Sequence, residues 1–127
     1  MIETLGYLGL AGFLWLTLFQ IALACGAPLG HMAWGGRHRV LPPRFRKASA
    51  ASAVLTLLSA IMIAQTAGIG PVLLPEIFER PFLGAVAVLF AVSLVGNAIS
   101  DSRIERLHGV PLTLLLAVTS AGVAILA

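Results

Sequence analysis

The sequence predicts an all-α integral membrane protein, folded as an antiparallel four-helix transmembrane bundle. Two observations carry that expectation. Charge is scarce: 10% of the 127 residues are Asp, Glu, Lys or Arg, and 59% are hydrophobic. Soluble domains carry roughly 25% charged residues, so too few polar groups are present to cover a water-facing surface of this size. The apolar residues also fall into four runs, at about 5–25, 48–69, 81–99 and 110–127. Each approaches the roughly 20 residues that cross about 30 Å of hydrocarbon at about 1.5 Å per residue. Strands of a barrel would be shorter, and a helix satisfies its own backbone in lipid. The whole chain, 1–127, reads as one membrane domain.

The first span, 5–25, follows an N-terminus whose only charge is Glu3. A cleaved signal peptide would carry a basic leader, so the span is expected to remain uncleaved. "IALAC" has the outline of a lipoprotein box, but Leu23 stands where a small residue is usual. Gly6, Gly9 and Gly12, then Thr17 and Gln20, give this span its small and polar positions.

The connector that follows, "CGAPLGHMAWGGRHRVLPPRFRK", holds His31 and His38, Trp34, and five basic residues: Arg37, Arg39, Arg44, Arg46 and Lys47. The second span, 48–69, carries Ser49, Ser52, Thr56, Ser59 and Thr66 near helical spacing, with Gln65 close by. These form one stripe. "PVLLPEIFER" then interrupts the chain, with Pro71 and Pro75 preventing either helix from continuing. The third span, 81–99, contains Gly84, Ser93, Gly96 and Asn97. The polar stretch 100–109 bears Asp101, Arg103, Glu105, Arg106 and His108, where Ser100 or Asp101 can cap a short turn. Pro111 suits the start of the fourth span, 110–127.

Seven of the eight basic residues lie in the two loops 26–47 and 100–109, and only Arg80 lies in the middle connector. Such a bias sets orientation in short loops. The basic loops are expected in the cytoplasm and both termini outside, in the cytoplasmic (inner) membrane. No basic stripe with interleaved aromatics is present, so nucleic acid is not an expected partner. The expected partners are the lipid bilayer and either further copies of the chain or a larger membrane complex.

The spans hold no ionisable side chain near their centres, which argues against a proton-coupled exporter. The Gly, Ser and Thr positions suit close helix packing. Gln20, Gln65 and Asn97 are the intramembrane polar residues that a solute path would use. The lone Cys25 excludes an internal disulfide.

Nucleophile, Walker and HExxH motifs are absent, so no catalytic residue is assigned. The first connector is the best place for a site. His31, Trp34, Arg37 and Arg39, with Asn97 and Arg103 from the second basic region, are the candidate ligand-binding residues. Arginines would take phosphate or carboxylate, glycine N–H groups would assist, and Trp34 would wall the acyl side. His31 and His108 are the candidate metal or haem ligands, although no compact zinc spacing is present. The sequence requires no cofactor. The leading expectation is an interaction or assembly component of a membrane complex. The alternatives are an oligomeric transporter or channel subunit, and a lipid-, quinone- or haem-binding protein using the 26–47 loop.

Overall fold

A computed structural model describes all 127 residues. The chain forms four helices and no strand: α1 (Ile2–Ala24), α2 (Pro43–Thr66), α3 (Glu79–Ala98) and α4 (Arg103–Leu126). Each is long and apolar enough to cross a membrane. At about 1.5 Å per residue the helices are roughly 30–36 Å long.

Contacts between the helices fix their directions. Gly9 of α1 meets Ile63 of α2 and Thr119 of α4, while Arg46 Nε at the start of α2 donates to the Ala24 carbonyl at the end of α1. Asn97 near the end of α3 packs on Gly109 near the start of α4, and Arg80 Nε donates to the Ala124 carbonyl. Successive helices therefore run antiparallel, and α1 also pairs antiparallel with α4. One end of the molecule gathers residues 25–42 and 99–102. The other gathers both termini and residues 67–78.

Small residues allow this packing. Gly6, Gly9 and Gly12 are all buried on one stripe of α1, facing Ala67, Ile63 with Thr119, and Leu116 respectively. Thr17 and Thr56 share a hydrogen bond at 2.8 Å between α1 and α2. Phe13, Leu23, Ile63, Leu83, Leu116 and Val123 fill the centre, where the Phe13 and Phe90 rings meet edge to face at 5.7 Å. The outward faces are equally apolar, with Leu18, Val54, Val88, Val92, Val118 and Ile125 exposed.

The polar region 100–109 departs from expectation. It is mostly helical: α4 begins at Arg103, and Pro111 lies in its third turn. The cap is Ser102, whose Oγ accepts the Glu105 N–H at 3.3 Å. Neither Ser100 nor Asp101 caps the helix, although Ser100 Oγ accepts the Ser102 N–H at 3.2 Å. Pro111 is tolerated because the bond it forgoes would go to the carbonyl of Leu107, an exposed residue near the helix end. Likewise α2 begins at Pro43, in the favoured first helical position, so Arg44, Arg46 and Lys47 are helical. The irregular part of the first connector shrinks to 25–42.

Gln65 organises the opposite end. Its Oε1 accepts from the Leu73 and Leu74 N–H groups at 3.1 and 3.0 Å, and its Nε2 donates to the Leu74 carbonyl at 3.0 Å and Glu79 Oε1 at 2.9 Å. One amide thus ties segment 70–79 to α2. Gln65→Leu strands two backbone donors and is expected to cost about 2–4 kcal/mol. Equilibrium unfolding in mixed micelles measures that loss, and a cost under about 0.5 kcal/mol contradicts the assignment.

Candidate ligand-binding cavity

The connector 25–42 folds back over its end of the bundle. Gly26 leaves α1 with φ +91°, and a short 3₁₀ turn follows at Gly30–Met32. Gly30 N–H donates to the Arg39 carbonyl at 2.8 Å, closing the connector on itself, and Leu41 is buried beneath it. Trp34, Gly35 and Gly36 then adopt successive positive φ values of +52°, +86° and +72°. The two glycines do so freely. For Trp34 the left-handed region costs roughly 1–2 kcal/mol. Its indole is held in return: Nε1 donates to Ser49 Oγ at 2.9 Å, and the ring stacks on Phe45 at 5.7 Å.

Two latches join this connector to α4. Gly35 N–H donates to Glu105 Oε2 at 3.2 Å, and Ser102 Oγ donates to the His31 carbonyl at 2.6 Å. Gly36 packs directly on Ser102, leaving no room for a Cβ.

Beneath the connector lies an open cavity of about 820 Å³. Side chains from all four helices and from the connector line it. Leu16, Phe19, Leu55, Leu89, Phe90 and Leu112 supply apolar wall. Gln20, Thr56, Asn97, Glu105, His108 and Thr113 supply polar wall. Arg37, Arg44 and Asp101, all exposed, stand at its mouth.

Hydrogen bonding decides what the polar wall can offer. Asn97 Nδ2 donates to the Ser93 carbonyl at 2.9 Å, and Thr113 Oγ1 to the Gly109 carbonyl at 2.6 Å. Trp15 Nε1 donates to His108 Nε2 at 2.9 Å. An indole N–H can only donate, so His108 Nε2 is the acceptor and the neutral ring carries its proton on Nδ1. Gln20 Oε1 is buried without a hydrogen-bond partner.

Five of the residues singled out from sequence line this cavity: Gln20, Trp34, Arg37, Asn97 and His108. The others do not. His31 and Arg39 contribute only their backbone carbonyls, Arg103 is an exposed residue in the first turn of α4, and Gln65 is at the far end. His31 and His108 are not paired as ligands, since His108 Nε2 is taken by Trp15. No group of three or more His, Cys, Asp or Glu side chains comes together to hold a metal ion.

Glu105 was absent from the residues that the sequence nominates, yet it is buried in the cavity wall. The signal was available in Ser102-x-x-Glu105, the spacing of a helix N-terminal cap. It places Glu105 one turn before His108 and on the face that continues through Thr113. His38, Arg44 and Ser93, noted in the sequence but not named as site residues, also join the lining, and Phe19 joins it without a sequence cue.

No protein-family model, curated protein or solved structure matches the chain.

Proposed function

We propose that this is a membrane-embedded protein that binds a small amphipathic molecule in the cavity beneath the 25–42 connector. The bundle spans the cytoplasmic membrane with its Arg- and Lys-rich end inside and both termini outside, as the distribution of basic residues favours. The cavity then lies in the cytoplasmic half of the bilayer, and its mouth is at the headgroup level.

The observation that carries this reading is an open cavity of about 820 Å³ whose wall joins apolar and aromatic side chains to Glu105, Asn97 and His108. Small-molecule sites are commonly about 300–1,000 Å³, mostly apolar, with a few convergent polar groups. Close packing would leave no such space, and packing is achieved elsewhere in the same bundle by Gly6, Gly9 and Gly12. The assembly role expected from sequence has no feature of comparable definition. Its best support is α3, the least buried helix, whose Gly84 meets open space.

Ser93→Phe tests the reading. Ser93 lines the cavity from α3, and its hydroxyl makes no bond that the bundle needs. Wild-type protein, gently solubilised and examined by native mass spectrometry, is expected to carry a reproducible small-molecule adduct. The variant is expected to lose it while unfolding at an unchanged denaturant concentration. An adduct retained at wild-type occupancy in Ser93→Phe removes the cavity as its site.

A further inference from the structure

We propose that the head of the bound molecule is a protonated amine, held by the Glu105 carboxylate in the cavity wall. This rests on the ligand-binding reading above and names the chemistry of the head.

Charge is the first argument. Glu105 is only 6% exposed, and its hydrogen-bond partner is the neutral Gly35 N–H. A carboxylate taken out of water without a cation is costly, and an ammonium beside it removes that cost. The two arginines of the wall are not placed to do so. Arg37 and Arg44 are exposed at the mouth, and the Arg44 guanidinium lies 4.7 Å over the Phe45 ring. Water and salt screen them there.

Hydrogen-bonding capacity is the second. The Thr113 hydroxyl has committed its proton to the Gly109 carbonyl, so only its lone pairs face a ligand. The Thr56 hydroxyl proton goes either to the Ala53 carbonyl at 3.1 Å or to Thr17 at 2.8 Å. These groups ask for a donor, and an ammonium offers three protons.

The third argument is the aromatic content. Phe19, Trp34, Phe45 and Phe90 all contribute to the wall. Aromatic faces attract an ammonium but not an anion. A phosphate or carboxylate head would bring a second negative charge beside Glu105 in a region of low dielectric. A hydroxyl head would fill the cavity and leave the carboxylate without a counter-ion.

The test uses one tail with three heads. Full-length protein in phosphatidylcholine nanodiscs is titrated with dodecylamine, dodecanol and dodecyl phosphate, and bound ligand is read by native mass spectrometry. Dodecylamine is expected to bind about tenfold more tightly than dodecanol, with dodecyl phosphate weakest. Glu105→Gln keeps an oxygen for the Gly35 N–H and is expected to bring dodecylamine down to the level of dodecanol. Thr113→Val, of similar size, removes an acceptor from the wall; it is expected to weaken dodecylamine about fivefold, and it serves if Glu105→Gln does not fold. Tightest binding of dodecanol or dodecyl phosphate overturns the inference and leaves the binding reading standing. Unchanged dodecylamine affinity in a folded Glu105→Gln or Thr113→Val protein overturns it as well. Failure of all three heads to bind overturns the ligand-binding reading itself, and this inference with it.

Discussion

Gly9→Leu is expected to separate α1 from both of its neighbours and to cost about 3 kcal/mol or more, the upper end for overpacking. Gly9 is the point where three helices meet. A Cβ there runs into Ile63 Cδ1 from α2, and it stands 2.9 Å from Thr119 Oγ1 of α4. Ile63 and Thr119 are themselves fully buried, so neither can swing into open space. Thr119 Oγ1 is further held by its 2.7 Å bond to the Leu115 carbonyl. The displaced element must be a whole helix. Gly9→Ala separates the two effects at work. Alanine favours the helix by about 0.5–1 kcal/mol, but its methyl still meets Ile63. A net loss of stability in Gly9→Ala, with a larger one in Gly9→Leu, is the expected order in denaturant titrations in detergent. A Gly9→Leu protein as stable as wild type contradicts the three-helix junction.

Gly30→Ala is expected to release the 25–42 connector while sparing the bundle. The new methyl would overlap the His38 carbonyl oxygen and lie 2.9 Å from that of Arg39. Both obstacles are backbone, so no rotamer change relieves them. The 2.8 Å bond from Gly30 N–H to Arg39 must open. Trypsin reports the opening directly, because Arg37 and Arg39 lie in the segment released. Lowering the opening free energy by about 1.4–2.8 kcal/mol raises the cleavage rate roughly 10- to 100-fold. Helical circular dichroism should remain near wild type. Unchanged cleavage at Arg37 and Arg39 contradicts the role given to Gly30.

The four helices are legible in the sequence because long apolar runs leave the backbone no other economical form. The start of α4 is not legible in the same way. Hydropathy falls across residues 100–109, and Pro111 resembles a helix start. Ser102 and Glu105 are spaced as a cap, and that local chemistry prevails over hydropathy. The moved boundary hides the cavity's carboxylate, because Glu105 then reads as a loop residue. Gln20 and Gln65 show a second limit. Each is an amide within an apolar run, and nothing local distinguishes them. Gln65 meets the returning segment 70–79 and is saturated, whereas Gln20 lies in the cavity wall with its Oε1 buried and unpartnered. That difference is made by helix arrangement, which periodicity does not encode. Trp34 is a mixed case: the sequence offers it as a wall residue and it lines the cavity, but its left-handed backbone is imposed by the turn and has no local signal.

The latches of the connector also carry an order in time. Trp34 reaches Ser49, only 15 residues further along the chain, while Gly35 and His31 reach Glu105 and Ser102, 70 and 71 residues away. During synthesis the first anchor is available soon after the connector emerges. The other two wait for the last quarter of the protein, several seconds later at about 5–20 residues per second. In that interval the Trp34–Ser49 bond can form within the α1–α2 hairpin, while the Gly35 N–H and the His31 carbonyl still lack their partners from the α4 end of the chain.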